Sequence, residues 1–177
     1  TTPQAARIDA HLLNRRGVTR LCYCGSVLHT RPDKPHATRE PLQFGAEIFG
    51  HAGLEADLES LLLAQDCLAV AGVQGTRIDL AHAGVVQVLL AGVPLAAEPL
   101  QRIHAALASK DGPELQQLTR DLPARVRDGL LALIQLYGDA SVLAEAERSL
   151  SAFPQVLQAL GELRWLATQL GDARLSI

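Results

Sequence analysis

The segment from Gln43 to Gly50 constrains the fold of this chain most strongly, because its polar and apolar residues alternate. Alternation with a period of two is typical of a β-strand, in which successive side chains lie on opposite faces. One face of such a strand would be apolar, with Phe44, Ala46 and Ile48. The other would carry Gln43 and Glu47, separated by Gly45 and about 13 Å apart along the backbone. This face could form the floor of a pocket for a small polar ligand, although an exposed strand face would show the same pattern.

A β-hairpin is predicted around this strand. Residues 19–29 favour a first strand, residues 41–49 form the second, and residues 30–40 make a long polar connection. Two strands joined in this way are typical of an antiparallel pair. The connection carries Arg31 and Arg39, so its tip is basic and is a candidate contact for phosphate or a partner. Exposed loop charges more often bind nothing.

Helices are predicted on both sides of the hairpin. Residues 4–15 have the pattern of a short amphipathic helix, and residues 54–70 that of a longer one. Five leucines of the second helix would form its buried stripe, namely Leu54, Leu58, Leu61, Leu62 and Leu68. A short strand at residues 76–80 and a helix at 84–91 follow.

The remainder of the chain is predicted to be helical. Five helices are expected between residues 98 and 170, at 98–109, 113–121, 123–137, 140–149 and 153–170. The last would lead back to a strand that begins at Leu175, which suggests that a longer protein continues the sheet. We therefore predict an α+β fold: a partial antiparallel-sheet core at 1–94, an inserted helical subdomain at 95–171, and a return to the core sheet at 172–177.

Composition excludes several classes of function. The 177 residues carry 16 basic and 19 acidic side chains, for a net charge of −3, and only 3% of the residues are aromatic. This balance argues against a general nucleic-acid surface. The longest apolar run, Gly84–Ala97, is too short to span a membrane and is broken by glycine and proline. Cys22, Cys24 and Cys67 are too few for a disulfide framework, so we expect a cytoplasmic protein with buried free thiols.

Motifs for nucleotide chemistry and nucleophilic catalysis are missing from the sequence. There is no phosphate-binding loop, no nucleophile elbow and no zinc-protease helix, so neither a cofactor nor a metal is predicted. His82 near Asp79 invites an acid–base role, but a structural histidine is the more common explanation of such a pair. The face with Gln43 and Glu47 thus remains as the candidate site. Free histidine fits it, since its imidazole N–H could donate to Glu47 and its ammonium to the Gln43 carbonyl.

The hairpin sequence resembles motif 2 of class II aminoacyl-tRNA synthetases in its histidyl form. The resemblance is carried by residues 25–32 and 39–50, and residues 2–8 resemble the segment that follows motif 1 in the same family. It is most similar to the synthetase-like regulatory subunit of ATP phosphoribosyltransferase, the first enzyme of histidine biosynthesis. The helical stretch between 95 and 170 is also placed as in that family.

Departures from the synthetase pattern fall on the nucleotide side of the motif. Active synthetases have an arginine for the ATP α-phosphate where this chain has His29, and an adenine-reading glutamate where it has Arg31. The aromatic residue that stacks on adenine corresponds to Pro41. Gln43 and Glu47, which match amino-acid contacts of histidyl-tRNA synthetase, are retained. The resemblance therefore implies a protein that can sense histidine but cannot activate it.

The resemblance further implies a set of contacts and partners. Thr2 matches another residue of the histidine pocket, beside Gln43 and Glu47. The expected partner is the short-form catalytic subunit of ATP phosphoribosyltransferase, in a hetero-octamer that contains dimers of the regulatory subunit. No catalytic residue is expected. Two alternatives remain open from the sequence: a divergent histidyl-tRNA synthetase, and a helical interaction domain whose hairpin has no ligand.

Overall fold

The computed structural model describes residues 1–31, 34, 37–171 and 175–176 of the chain. It contains two compact units, Thr1–Gly72 and Val73–Ile177, which are described separately. The sequence-based boundary at residue 94 concerns the family core and its insertion, and it stays a prediction. Residues 73–94 belong structurally to the second unit.

The first unit is built on the predicted hairpin. Its elements are α1 (Thr2–Arg7), a π-helical continuation (Ile8–Leu13), β1 (Thr19–Ser26), β2 (Leu42–Phe49) and α2 (Leu54–Val70). The first helix begins earlier than predicted because Pro3, which needs no amide partner, fits its first turn. The π-helical continuation ends at Leu13, and the φ of 43° at the following Asn14 is left-handed. The predicted bounds of α2 are confirmed.

The strands β1 and β2 are antiparallel, as predicted, with Thr19 opposite Phe49 and Ser26 opposite Leu42. Two further backbone hydrogen bonds continue this register beyond the strands. Val27 N donates to the Pro41 carbonyl at 3.0 Å, and His29 N donates to the Arg39 carbonyl at 2.8 Å. Odd-numbered residues of both strands therefore share one face of the hairpin, and even-numbered residues share the other.

The even-numbered face of the hairpin is largely exposed. Leu42 is 71% exposed and Phe44 is 62% exposed. Cys22 and Cys24 lie on this face and are exposed too, so the prediction of buried thiols is wrong for both. The pattern identified the face correctly, but no other helix or strand among the described residues of the first unit covers Leu42 and Phe44.

The predicted buried stripe of α2 is also wrong. None of the five leucines is buried, and Leu62 and Leu68 are 44% and 41% exposed. Within the first unit α2 contacts β2 and is joined to the hairpin by Arg20 and Glu59, whose side chains form two hydrogen bonds of 2.6 and 2.7 Å. A helical apolar stripe becomes buried only where a second layer covers it, and the hairpin covers little of this one.

The second unit is mainly helical. Its elements are β3 (Ile78–Asp79), α3 (Gly84–Leu89), α4 (Ala97–Ser109), α5 (Gly112–Leu118), α6 (Ala124–Leu133), α7 (Val142–Ser149), α8 (Pro154–Leu170) and β4 (Leu175–Ser176). A short strand is present at Leu175, as predicted, and Leu175 pairs with Ile78 in a parallel bridge. The return of this strand to the core sheet stays a prediction. The strand predicted at 76–80 is shorter, and the helices end up to four residues before their predicted ends.

The core of this unit forms around α8. Seven residues of α8 are buried, namely Val156, Ala159, Leu160, Leu163, Leu166, Ala167 and Leu170. Ile103, Leu115 and Leu130 from other helices, and Leu150 directly after α7, are completely inaccessible. Each such aliphatic side chain contributes about 1.5–3 kcal/mol relative to exposure. Among the residues described, no helix is both long and apolar enough to cross a membrane.

Candidate functional site

The register of the hairpin brings Gln43, Gly45 and Glu47 to one face of β2. On β1, Tyr23 lies opposite Gly45, and Gly25 lies opposite Gln43. Gln43 and Glu47 are both half-buried, in contrast to the exposed apolar residues between them. The acid and the amide thus stand on the more enclosed side of the hairpin.

The space above Gly45 is occupied by a side chain of the neighbouring strand. A methyl carbon built on Gly45 would lie 2.6 Å from both Cζ and the hydroxyl oxygen of Tyr23, which is closer than real contacts allow. The tip of the phenol therefore rests directly on the glycine, between Gln43 and Glu47. A tyrosine placed opposite a glycine across a hairpin is a recognised sequence signal, and it could have revealed this contact in advance.

Glu47 has an unusual environment for a carboxylate. Its Oε1 atom is buried and has no hydrogen-bond partner among the residues described. Burial without a partner costs about 1–3 kcal/mol for a polar group and more for a charged one. Such a group is a natural acceptor for a ligand N–H, because a bound donor would remove this penalty.

Gln43 is held by the beginning of the chain. The Thr1 hydroxyl donates to Gln43 Oε1 at 2.9 Å. This contact fixes the amide carbonyl and brings the start of α1 next to the candidate site. Thr2, the threonine singled out from the sequence, is exposed. The structure thus joins Gln43 to Thr1 rather than to Thr2, over a separation of 42 residues that no local pattern reveals.

The positions at which the sequence departs from the synthetase pattern lie at the loop end of the hairpin. His29 and Arg31 are exposed, and Pro41 is half-buried. Arg39 is turned back toward the hairpin, where its Nε donates to the His29 carbonyl at 3.4 Å. The extended register places His29, Arg39 and Pro41 on the same face as Gln43. The motif residues therefore follow one another along one side of the hairpin.

Charges elsewhere in the first unit have structural partners. Glu59 accepts the two hydrogen bonds from Arg20, and these hold the pKa of Glu59 below its usual range and raise that of Arg20. A hydrogen bond from its own backbone lowers the pKa of Glu55 at the start of α2, and the His51 ring, 3.4 Å away, adds to this effect. Both pairs are exposed, so they orient α2 and add little stability.

His82 in the second unit has a structural role and not the partner suggested by the sequence. Asp79 pairs with Arg77 at 2.9 Å. His82 instead accepts a hydrogen bond at Nδ1 from Gly84 N, at 3.1 Å, which leaves Nε2 to donate to Glu162 at 2.9 Å. The hydrogen bond from His82 holds the pKa of Glu162 below its usual range, and a second one from Gln158 adds to this effect. The histidine thereby anchors the start of α3 to α8.

Comparison with known proteins identifies the family. A model of the family described as Histidyl-tRNA synthetase matches residues 1–177. The chain belongs to this family. It is 65% identical over 176 residues to the ATP phosphoribosyltransferase regulatory subunit of Verminephrobacter eiseniae, and 66% identical over 172 residues to that of Variovorax paradoxus. These alignments cover 99% and 97% of this chain but 46% and 45% of the relatives, so the chain spans less than half of their length.

A solved structure confirms the fold. The crystal structure of an ATP phosphoribosyltransferase regulatory subunit/histidyl-tRNA synthetase from Bacillus halodurans matches 99% of this chain and 47% of its own, with a TM-score of 0.75. The sequence identity is 23%, so this likeness speaks for the fold alone. The predicted α+β class, a partial synthetase-like sheet with flanking helices, is therefore confirmed.

Proposed function

We propose that the full-length protein is a non-catalytic regulatory subunit of ATP phosphoribosyltransferase, the enzyme of the first step of histidine biosynthesis. It would be required for the activity of a short-form catalytic subunit and would take part in feedback inhibition by histidine. Support comes from relatives of that name that are 56–66% identical over nearly all of this chain. Since the chain spans less than half of their length, the activity and partners of the whole protein belong to the proposal.

The observation that supports this proposal is the state of two acceptors on one face of β2, which we interpret as an amino-acid half-site beside a changed nucleotide half-site. Glu47 offers a buried oxygen without a partner, and Gln43 offers a carbonyl held in place by Thr1. A free amino acid with a ring N–H and an ammonium group can donate to both. A ligand that lacks either donor would leave a buried acceptor unpaired, which makes selection sharp.

The nucleotide half argues against adenylate formation. An arginine binds phosphate through a planar fork of donors and stays charged, whereas the imidazole of His29 offers a single weak donor toward one oxygen. Pro41 has no aromatic face for adenine. Arg31 would bring a cation where the synthetases use a carboxylate acceptor. Arg31 and Arg39 remain candidate contacts for phosphate or for the partner, and the assignment of histidine to Gln43, Glu47 and Thr2 is part of the same proposal.

The assembly and location of the protein are further elements of this proposal. The resemblance implies a hetero-octamer in which regulatory subunits form dimers and catalytic subunits bind to them. We expect the same assembly in the cytoplasm, with no membrane and no nucleic acid involved. The net charge of −3 is consistent with a protein partner rather than a polyanion.

The proposal is tested by reconstitution with the partner. The full-length protein is mixed with a short-form catalytic subunit, separated by size-exclusion chromatography, and assayed for phosphoribosyl transfer. Co-elution and a higher rate in the mixture are expected. Separate elution together with an unchanged rate would refute the proposal.

A divergent histidyl-tRNA synthetase is the second candidate, because the family model that matches the whole chain is that of the enzyme. This function requires histidine-dependent exchange of pyrophosphate into ATP. We expect no exchange above background from the full-length protein. Exchange that depends on histidine would favour the synthetase over the regulatory subunit.

A further inference from the structure

The contact between Tyr23 and Gly45 has a direct bearing on the candidate site. Tyr23 is half-buried, and its phenol tip occupies the place where any larger residue at position 45 would put its side chain. Gln43 and Glu47 stand on either side of it along the strand. A ligand held between the acid and the amide must therefore lie above the phenol.

We infer that Tyr23 is a specificity-determining residue that sets the depth of the Gln43–Glu47 site. This inference rests on the amino-acid site proposed above. With the phenol seated on Gly45, a short side chain with an N–H donor can reach Glu47 while its backbone groups remain near Gln43. A longer side chain would meet the phenol before its donor was aligned with Glu47. The site is thus expected to take a compact nitrogen heterocycle, such as imidazole, and to reject a long guanidinium.

Two glycines on this face allow the inference to be tested in a matched way. An added methyl carbon at Gly45 would collide with the phenol, whereas one at Gly25, also on this face and opposite Gln43, would meet no atom within 4 Å. Neither glycine has a positive φ, so alanine is compatible with both backbones. Gly45→Ala should lift the phenol into the site, and Gly25→Ala should leave the phenol in place.

The experiment is isothermal titration of L-histidine and L-arginine into the full-length protein. Both ligands donate N–H groups to a carboxylate, but arginine is longer. Tyr23→Ala is expected to lower the ratio of histidine affinity to arginine affinity by about tenfold or more, since a deeper pocket discriminates less. Tyr23→Phe, which keeps the ring, is expected to keep the ratio within about threefold. Gly45→Ala should weaken histidine binding by about tenfold, and Gly25→Ala should change it less than about twofold.

Folding of each variant is checked by thermal melting. If Gly45→Ala does not fold, the role of Tyr23 is tested by Tyr23→Ala alone, through its ratio of histidine affinity to arginine affinity. An unchanged ratio in Tyr23→Ala, or wild-type histidine affinity in a folded Gly45→Ala variant, would overturn the role of Tyr23 and leave the proposed function standing. Absence of histidine binding by the wild-type protein would instead refute the amino-acid site itself, together with this inference.

Discussion

Replacement of Gly45 by alanine should destabilise the hairpin, and the size of the effect follows from the contact with Tyr23. The added methyl carbon would lie 2.6 Å from the phenol, so the ring must move by about 1 Å or more to restore an ordinary contact. Crowding of this kind costs about 1–3 kcal/mol. Alanine also removes the backbone entropy cost of glycine in a strand, a gain of about 0.5–1 kcal/mol.

Gly25→Ala is the control that isolates the crowding. This substitution gives the same gain in backbone entropy, but its added methyl carbon has no atom within 4 Å. The free energy of unfolding of Gly45→Ala should therefore be about 1–3 kcal/mol lower than that of Gly25→Ala. Urea unfolding of both variants of the full-length protein, followed by circular dichroism, measures the difference. Equal stabilities would refute the contact. In a Tyr23→Ala background the change Gly45→Ala should cost little, since no phenol remains to be displaced.

Further predictions concern the helical unit. An added methyl carbon at Gly129 would lie 2.9 Å from Leu89 Cδ2, so Gly129→Ala should lower the free energy of unfolding by about 1–3 kcal/mol. Gly161→Ala in α8, with no atom within 4 Å, should raise it by up to about 1 kcal/mol, and equal effects in urea unfolding would contradict the packing described. The lowered pKa of Glu162 stabilises the fold at pH values above the ordinary pKa of a glutamate, and this contribution is lost as the pH falls through the lowered pKa. Glu162→Gln should therefore melt below the wild type at pH 7, and the gap should close in acid; a gap independent of pH would exclude the pairing with His82.

Local patterns sufficed to predict most of the elements. The alternation around Gly45 located β2, and the helical spacing of leucines located α2 at 54–70. The apolar residue Leu175 marked the last strand. These features depend on the chemistry of neighbouring residues. The period of the apolar residues shows which face of a helix or strand is apolar. This pattern can be read without knowing how the rest of the chain folds.

The sequence did not reveal which apolar faces are buried or which side chains form hydrogen bonds with each other. The leucines of α2 have the period of a buried stripe but remain accessible within the first unit, because whether a face is covered depends on another layer. His82 binds Glu162, which lies 80 residues away, rather than Asp79. The contact of Thr1 with Gln43 is similarly distant. A one-dimensional pattern does not encode such long-range pairs, and both are needed to describe the candidate site and the anchoring of α3.

Glu47 is the residue on which the account depends most, since its buried oxygen requires a donor that the described part of the chain does not supply. The most direct test is isothermal titration of L-histidine into the full-length protein and its Glu47→Gln variant. The variant keeps the shape of the side chain but loses the charged acceptor. We predict that the wild type binds histidine and that the substitution weakens binding by about 1–3 kcal/mol. Equal affinity of the two proteins for histidine would contradict the account.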